Sequence, residues 1–361
     1  MNNKDKNKIN SLTETLVWSI LLIETKIKNK DDLLSGRGNL QMKLLKDENR
    51  QSTLKKVRLL EQADLNENYE EMDCIIEKFR YSIDPILNEF GNVYQIHRQL
   101  QKGEINRIEA SRKFGKMDLK TPECKVFSRL MILPICLQTA EYRLMYEVGN
   151  EIDLDIIEEE SYIKSSYRCR LLSMLANAEL GIGDLKKAQL YAGLTINCAI
   201  SDNFFASGYL IHGNTLLFSD YEAAKQSFMH GLNFTEEGKF HYKELRRSLS
   251  FLENYYGVEN EFLDHDSEEV GEQQGVVFSL IKQGKKSEAL RILESLENRE
   301  QNKNILAFHF YYKGLCTDSK EYFFKSVRYF KESDDTFCIK LPLDELERLG
   351  ENKALLELIT V

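Results

Sequence analysis

The residues in this 361-residue chain that are placed for chemistry suit recognition better than catalysis. Asp334 and Asp335 fall together after a helix-patterned run and just before Phe337. A carboxylate there either meets a ligand's guanidinium in a directional, charge-assisted contact or caps the next helix. Asn214 is a polar residue in the middle of a mainly apolar helical run, where it can face a ligand. The six histidines, His97, His212, His230, His241, His265 and His309, are dispersed. His309 stands among Phe308, Phe310, Tyr311 and Tyr312, as a packed residue does. His97, next to Arg98, reads as a hydrogen-bonded core histidine or a conformational contact. No Gly-rich phosphate loop, His-Glu-x-x-His or nucleophile elbow occurs in the sequence. The chain is therefore not expected to be an enzyme, and no cofactor or metal is expected. The seven cysteines, Cys74, Cys124, Cys136, Cys169, Cys198, Cys316 and Cys338, include no Cys-x-x-Cys pair. They are expected to be reduced, mostly buried thiols.

The elements that must hold such residues are helices. The organising stretch is Asn203 to Leu232, two helices joined at Ser219-Asp220. Small residues stand where helices must touch (Ala206, Gly208 and Gly213, then Ala223, Ala224 and Gly231), with large apolar residues between them. This is the pattern of a tetratricopeptide hairpin, which buries its apolar face only by stacking on neighbours. Small residues at 188, 224, 289 and 326 repeat the signal at steps near the ~34-residue period. Residues 242–256 form a less typical unit between them. Leu341-Pro342-Leu343 opens a last helix that Gly350 interrupts. The aromatic stripe from Tyr311 to Phe330 reads as core. The expected fold is all-α: a tetratricopeptide-like superhelical solenoid behind a small N-terminal helical head. The expected divisions are a head at 1–50, degenerate repeats or a linker at 51–160 and ligand-binding repeats at 161–361 with a C-terminal helix that caps the solenoid or packs on a second subunit.

Charge divides the chain. Residues 1–60 carry thirteen Lys and Arg against seven Asp and Glu, a net of +6, in a protein whose net charge is −9. A basic head on an acidic body is the footprint of nucleic-acid binding or of a solvated basic helix pair. Ser11 to Glu14 forms a capping box, and the spacing predicts a helix to about Lys26 and a short one near Leu33. A glycine turn at Ser35–Gly38 and a third helix from Asn39 would complete a helix-turn-helix. Arg37, Asn39, Gln41 and Lys43 are its candidate groove-facing residues. Thr121-Pro122-Glu123 starts a helix expected to run through Leu133. The polar N-terminus lacks the apolar core of a signal peptide, and the longest apolar run is too short to span a bilayer. A cytoplasmic protein without membrane contact is expected.

Several strings resemble one family: YQIHRQL at 94–100, KTPE at 120–123, FSRL at 127–130, GNTLLFSDYEAA at 213–224, YYKGL at 311–315, SVRYFKESDDTFCIKLPL at 326–343 and the closing LERLGENKALLELI. In order and from about Leu59 onward, the chain is similar to the arbitrium receptors (AimR) of SPbeta-group Bacillus phages. The resemblance implies a cytoplasmic, homodimeric, DNA-binding regulator of the lysis-lysogeny decision. A short imported peptide would bind its repeats and switch its action at the promoter of a lysogeny regulator. The alternative is a peptide-sensing adaptor that sequesters a protein without binding DNA. The resemblance places the peptide contacts at Asn177, Asn214, Leu217, Asn304, Asp335 and Phe337, with Asp335 taking a peptide arginine. Where the family pattern has an arginine suited to a peptide carboxylate, this chain has Asn203. Arg168 or Arg170 would then have to supply that charge.

Overall fold

The computed structural model describes residues 37–360 except 298, 300 and 301, with side chains placed from residue 50. The chain divides into two compact units, residues 1–55 and 56–361. All regular structure among the described residues is helical. The helices are α1 (Arg37–Leu65), α2 (Tyr69–Arg80), α3 (Pro85–Gln101), α4 (Arg107–Lys116), α5 (Pro122–Leu130), α6 (Leu133–Thr139), α7 (Tyr142–Asn150), α8 (Tyr162–Ile182), α9 (Leu185–Cys198), α10 (Asp202–Leu216), α11 (Tyr221–Leu232), α12 (Phe240–Tyr256), α13 (Val270–Lys282), α14 (Lys286–Leu296), α15 (Lys303–Thr317), α16 (Lys320–Glu332), α17 (Lys340–Arg348) and α18 (Lys353–Thr360).

In the first unit the described part is helical. The expected helices up to Leu34 lie outside the described residues, as does the first half of the expected glycine turn. Its last two residues, Arg37 and Gly38, are already in α1, which continues unbroken past residue 50 to Leu65. The spacing predicts a turn there and a helix only from Asn39. One glycine costs a helix only about 1 kcal/mol, too little to stop a 29-residue helix. Positions 37 and 41 fall on one side of this helix, and positions 39 and 43 nearly opposite, because residues two apart do not share a helical face.

The second unit is built from paired helices. Side-chain caps fix several starts: Ser161 accepts from the Lys164 amide, Asp184 from Lys187 and Asp220 from Ala223. Each cap satisfies an otherwise orphaned N–H of the first turn. The expected long helix after Pro122 is broken at Met131–Ile132. Pro134 explains the break, because it has no N–H and its ring crowds the preceding turn.

Pairs pack where the small residues are. Ala188, Ala224, Ala289 and Ser326 are fully buried. Gly213 lets α10 lie against the Phe228 ring of α11, and Gly314 does the same for α15 and the Phe323 ring of α16. The aromatic stripe is largely core, with Tyr311, Tyr312, Phe323 and Phe330 buried in one apolar cluster.

A methyl group built on Gly314 would meet three Phe323 ring atoms at 2.5–2.8 Å. Gly314→Val should therefore lower stability by about 1–3 kcal/mol through overpacking. Gly193 lies inside α9 with nothing within 4 Å of the same position. Gly193→Ala should instead raise stability by about 0.5–1 kcal/mol. Urea denaturation of the two variants beside the parent protein checks both signs.

Candidate functional site

The turn between α16 and α17 carries Asp334, Asp335 and Phe337 and meets Asn304, four of the residues that the sequence singled out. Asp334 takes a left-handed backbone conformation, φ 53°, which swings Asp335 inward until it is buried. Its Oδ1 accepts from the Cys338 amide at 2.7 Å, across the turn that precedes α17. Its Oδ2 accepts from Asn304 Nδ2 at 2.6 Å. The carboxylate therefore holds the 336–339 turn that leads into α17, which has no side-chain cap of its own, and also pairs with a second candidate residue. Burial raises its pKa, and the hydrogen bonds from Cys338 and Asn304 only partly offset this.

The same turn closes on helices far away in sequence. The Thr336 amide donates to the Gly181 carbonyl at 2.8 Å, and the Thr336 hydroxyl donates to the Gly181 and Ile182 carbonyls. Arg143 pairs with Asp334 at 3.4 Å. Asn304 Nδ2 lies 3.4 Å from the Tyr142 hydroxyl, and Asn302 Nδ2 donates to the Gln138 carbonyl at 3.2 Å. Gly181 has no side chain at the point where the Tyr142 ring lies against α8. Asn177 is one turn before Gly181, and its amide is turned back to the Ser173 carbonyl at 2.9 Å.

Phe337 sits on the other flank, 4.8 Å from the Phe218 ring. Leu217 is buried in the cluster formed by Ala224, Phe228, Leu245, Leu249 and Leu252, against which Phe337 also packs. Leu217 can thus shape the site mainly from below. Asn214, one turn before Phe218, is half-buried, and its side-chain amide makes no hydrogen bond among the described residues. Asn177 and Asn214 occupy helices that pack on each other, α8 and α10, 37 positions apart.

Asn304 also lines a cavity of about 460 Å³ walled by Phe251, Phe278, Phe308 and Tyr312, with Arg247 at its rim. Arg247 contacts Glu244, Glu269 and Glu272 at 2.8–2.9 Å. Burial pulls its pKa down, but the three carboxylates outweigh burial and raise it. Sequence reasoning misses this wall, because its residues come from three helices and only their packing brings them together.

A second polar centre lies where α1 meets α3 and α8. Arg170 on α8 donates to Glu61 at 2.9 Å and to Asp64 at 2.7 Å, both on α1. Glu61 also accepts from the Tyr94 and Ser166 hydroxyls. Asp64 Oδ1 contacts His97 at 3.1 Å and Gln101 at 3.2 Å. Burial raises the Asp64 pKa, but His97 and Arg170 outweigh it, so the carboxyl is held well below the usual range. Arg170 is thus committed to α1 and not available for a ligand carboxylate, and Arg168 pairs with Glu160. Asn203 donates to the Leu65 carbonyl at 2.8 Å.

Among the described residues no His, Cys, Asp and Glu group could hold a metal, and no helix is long and apolar enough to cross a membrane. The sequence profile of the family described as AimR transcriptional regulator-like matches residues 43–348. The AimR transcriptional regulator of Bacillus phage SPbeta is 35% identical over 300 residues, which cover 83% of this chain and 78% of that protein. That of Bacillus phage phi3T is 35% identical over 302 residues, 84% of this chain and 79% of the other. A solved structure of phAimR with ligand superposes with a TM-score of 0.77 at 32% identity, covering 88% of this chain and 98% of that one.

Removing Arg170 leaves two buried carboxylates without their shared cation. Arg170→Met should cost about 3–5 kcal/mol. A depressed carboxyl contributes stability that is present above its unfolded pKa of ~3.9 and is lost as pH falls through its lower folded value. The parent protein should therefore lose the Asp64 contribution below about pH 4. The variant should show a flatter acid limb in urea titrations run at stepped pH.

Proposed function

From the premise that the chain belongs to the family of AimR phage transcriptional regulators, we propose that it is a receptor switched by a short peptide. The peptide binds at the α16–α17 turn, between Asn177 and Asn214 on one side and Asn304, Asp335 and Phe337 on the other. The observation that carries this reading is the buried Asp335–Asn304 pair, set where the 333–337 turn meets the end of α8. A buried carboxylate with a raised pKa favours a cationic partner, which restores the stability of its charged form. The asparagines bring amide donors and acceptors of the kind a peptide backbone needs. Leu217 supports Phe337 from the core.

The remaining parts follow from the family reading. The protein acts in the host cytosol as a homodimer, and the basic N-terminal unit engages promoter DNA. Of its candidate residues, Arg37 with Gln41, or Asn39 with Lys43, address the groove together, since the two pairs occupy opposite sides of α1. Peptide binding shifts the protein between two states by favouring one of them. A useful switch needs a few kcal/mol of differential affinity.

The test uses the purified full chain, DNA from its own locus and a synthetic copy of the short peptide encoded beside it. A salt-sensitive, sequence-selective DNA complex that the peptide alters is the expected result. Peptide binding with no DNA complex at any salt would mean a protein-sequestering adaptor instead.

Within that system, Asp335→Asn should weaken binding of an arginine-containing peptide about tenfold to a hundredfold, equivalent to about 1.5–3 kcal/mol for a charge-assisted contact. The parent's affinity should also fall as pH drops through the raised Asp335 pKa, at a higher pH than an ordinary carboxylate would show. The affinity of the Asp335→Asn variant should be flat over that window, as isothermal titration calorimetry can check.

A further inference from the structure

No spacing in the sequence pairs any two cysteines, yet folding brings Cys169 of α8 and Cys198 at the end of α9 to a sulfur–sulfur distance of 3.1 Å. We propose that these two thiols are an oxidative modification site, which a hydroperoxide converts to an intramolecular disulfide. This inference is independent of peptide or DNA binding.

The two sulfurs have different surroundings. Cys169 is fully buried, and its thiol also lies 3.1 Å from the Cys198 carbonyl. Cys198 is only partly buried. The hydrogen bond from Cys169 and the nearby Arg168 guanidinium favour the Cys198 thiolate and lower its pKa, while the Cys169 thiol is pushed up as the donor. Cys198 is therefore the thiol that attacks, and Cys169 the one that resolves. The other described thiols lack this arrangement. Burial raises Cys124, Cys136 and Cys316, burial and the Asp335 carboxylate raise Cys338, and Cys74 is exposed.

The chemistry balances without further reactants. The Cys198 thiolate attacks the terminal oxygen of the hydroperoxide. A sulfur–oxygen bond forms, the oxygen–oxygen bond breaks and the alcohol leaves, with a sulfenic acid on Cys198. The Cys169 sulfur then attacks Cys198, a sulfur–sulfur bond forms, and the sulfenic oxygen leaves as water with the Cys169 proton. Two thiols lose two electrons, and the hydroperoxide gains them.

The geometry allows the closure. A disulfide needs about 2.05 Å between sulfurs, so an approach of about 1 Å is required. Cys198 is the last residue of α9, and the non-helical 199–201 segment after it can absorb that shift. The pair packs against Leu65 and Phe204 in one small apolar cluster. Oxidation would therefore fasten α8 to α9 beside the end of α1.

The experiment uses the full chain carrying Cys74→Ser, which removes the exposed thiol. It is treated with a small excess of hydrogen peroxide and weighed intact, then unfolded, blocked with iodoacetamide and weighed again beside an untreated control. The expected result is a loss of about 2 Da with two thiols protected from alkylation. A non-reducing digest should show the Cys169 and Cys198 peptides joined, and dithiothreitol should separate them. In the Cys169→Ser variant the sulfenic acid on Cys198 should persist and be trapped by dimedone. In Cys198→Ser, peroxide should leave Cys169 fully alkylatable after unfolding. Unchanged mass and alkylation of the parent would overturn the proposal. So would a link between other cysteines, or a Cys198 oxidised beyond sulfenic acid while Cys169 remains a thiol.

Discussion

One guanidinium holds the start of the repeat region in place. Arg170 lies between Glu61 and Asp64 of α1, and each carboxylate is finished by groups from another helix: Tyr94, His97 and Gln101 of α3, and Ser166 of α8. Such a cluster is not where the stability of the fold comes from, since desolvation consumes much of the Coulombic gain. Stability comes from the apolar residues around it, including Phe90, Tyr94, Phe127 and Tyr167, which are almost wholly buried. What the cluster supplies is uniqueness. Apolar faces can slide, but one arginine meets two carboxylates on the same face of α1 in a single register. A one-turn shift of α1 would leave at least one buried carboxylate without a partner, at a cost of several kcal/mol.

The far end of the same region is held differently. The 333–337 turn meets α7 and α8 through Thr336 and the exposed Arg143–Asp334 pair, and the start of α15 beside it meets α6 and α7 through the Asn302 and Asn304 amides. An exposed ion pair is worth at most ~1 kcal/mol, and a neutral hydrogen bond about as much. This closure joins segments some 155 positions apart with little energy. Contacts of that strength belong to the low-stability end of a protein, where ligand sites and moving parts are found. The molecule thus pairs a rigid anchor at α1 with a weak closure around Asp335.

The legible part of this arrangement is the local part. The join at Ser219-Asp220 and the small residues at 188, 213, 224, 289 and 326 follow from residue type and spacing, and they define the helical repeats. Two boundaries depart from the sequence expectation for local reasons as well: Gly38 carries too little weight to interrupt a long helix, and Pro134 breaks the one that starts at Pro122. The site itself is only half legible. Asp335 stands out in the sequence, and the family resemblance adds Asn304, but that the two pair is a property of packing between α15 and the α16–α17 turn. The same holds for Arg170, expected as a partner for a peptide carboxylate and found committed to α1. The aromatic cavity beside Asn304 and the Cys169–Cys198 contact leave no trace in spacing, because no short-range pattern records which helices meet.

The state of Asp335 shows how a ligand can enter without leaving a buried polar group unsatisfied. Its two oxygens have separable duties: Oδ1 holds the 336–339 turn through the Cys338 amide, and Oδ2 receives Asn304. A ligand cation that takes Oδ2 leaves that turn intact. It frees the Asn304 amide, which has both donor and acceptor capacity for a peptide backbone. On the proposed reading it also releases Asn304 from its place near Tyr142, one of the few bonds between α15 and α7. Binding and loosening of the closure would then be the same exchange of partners at one amide. Such an exchange would give a ligand different contacts in two states, which is the physical requirement for any shift between them.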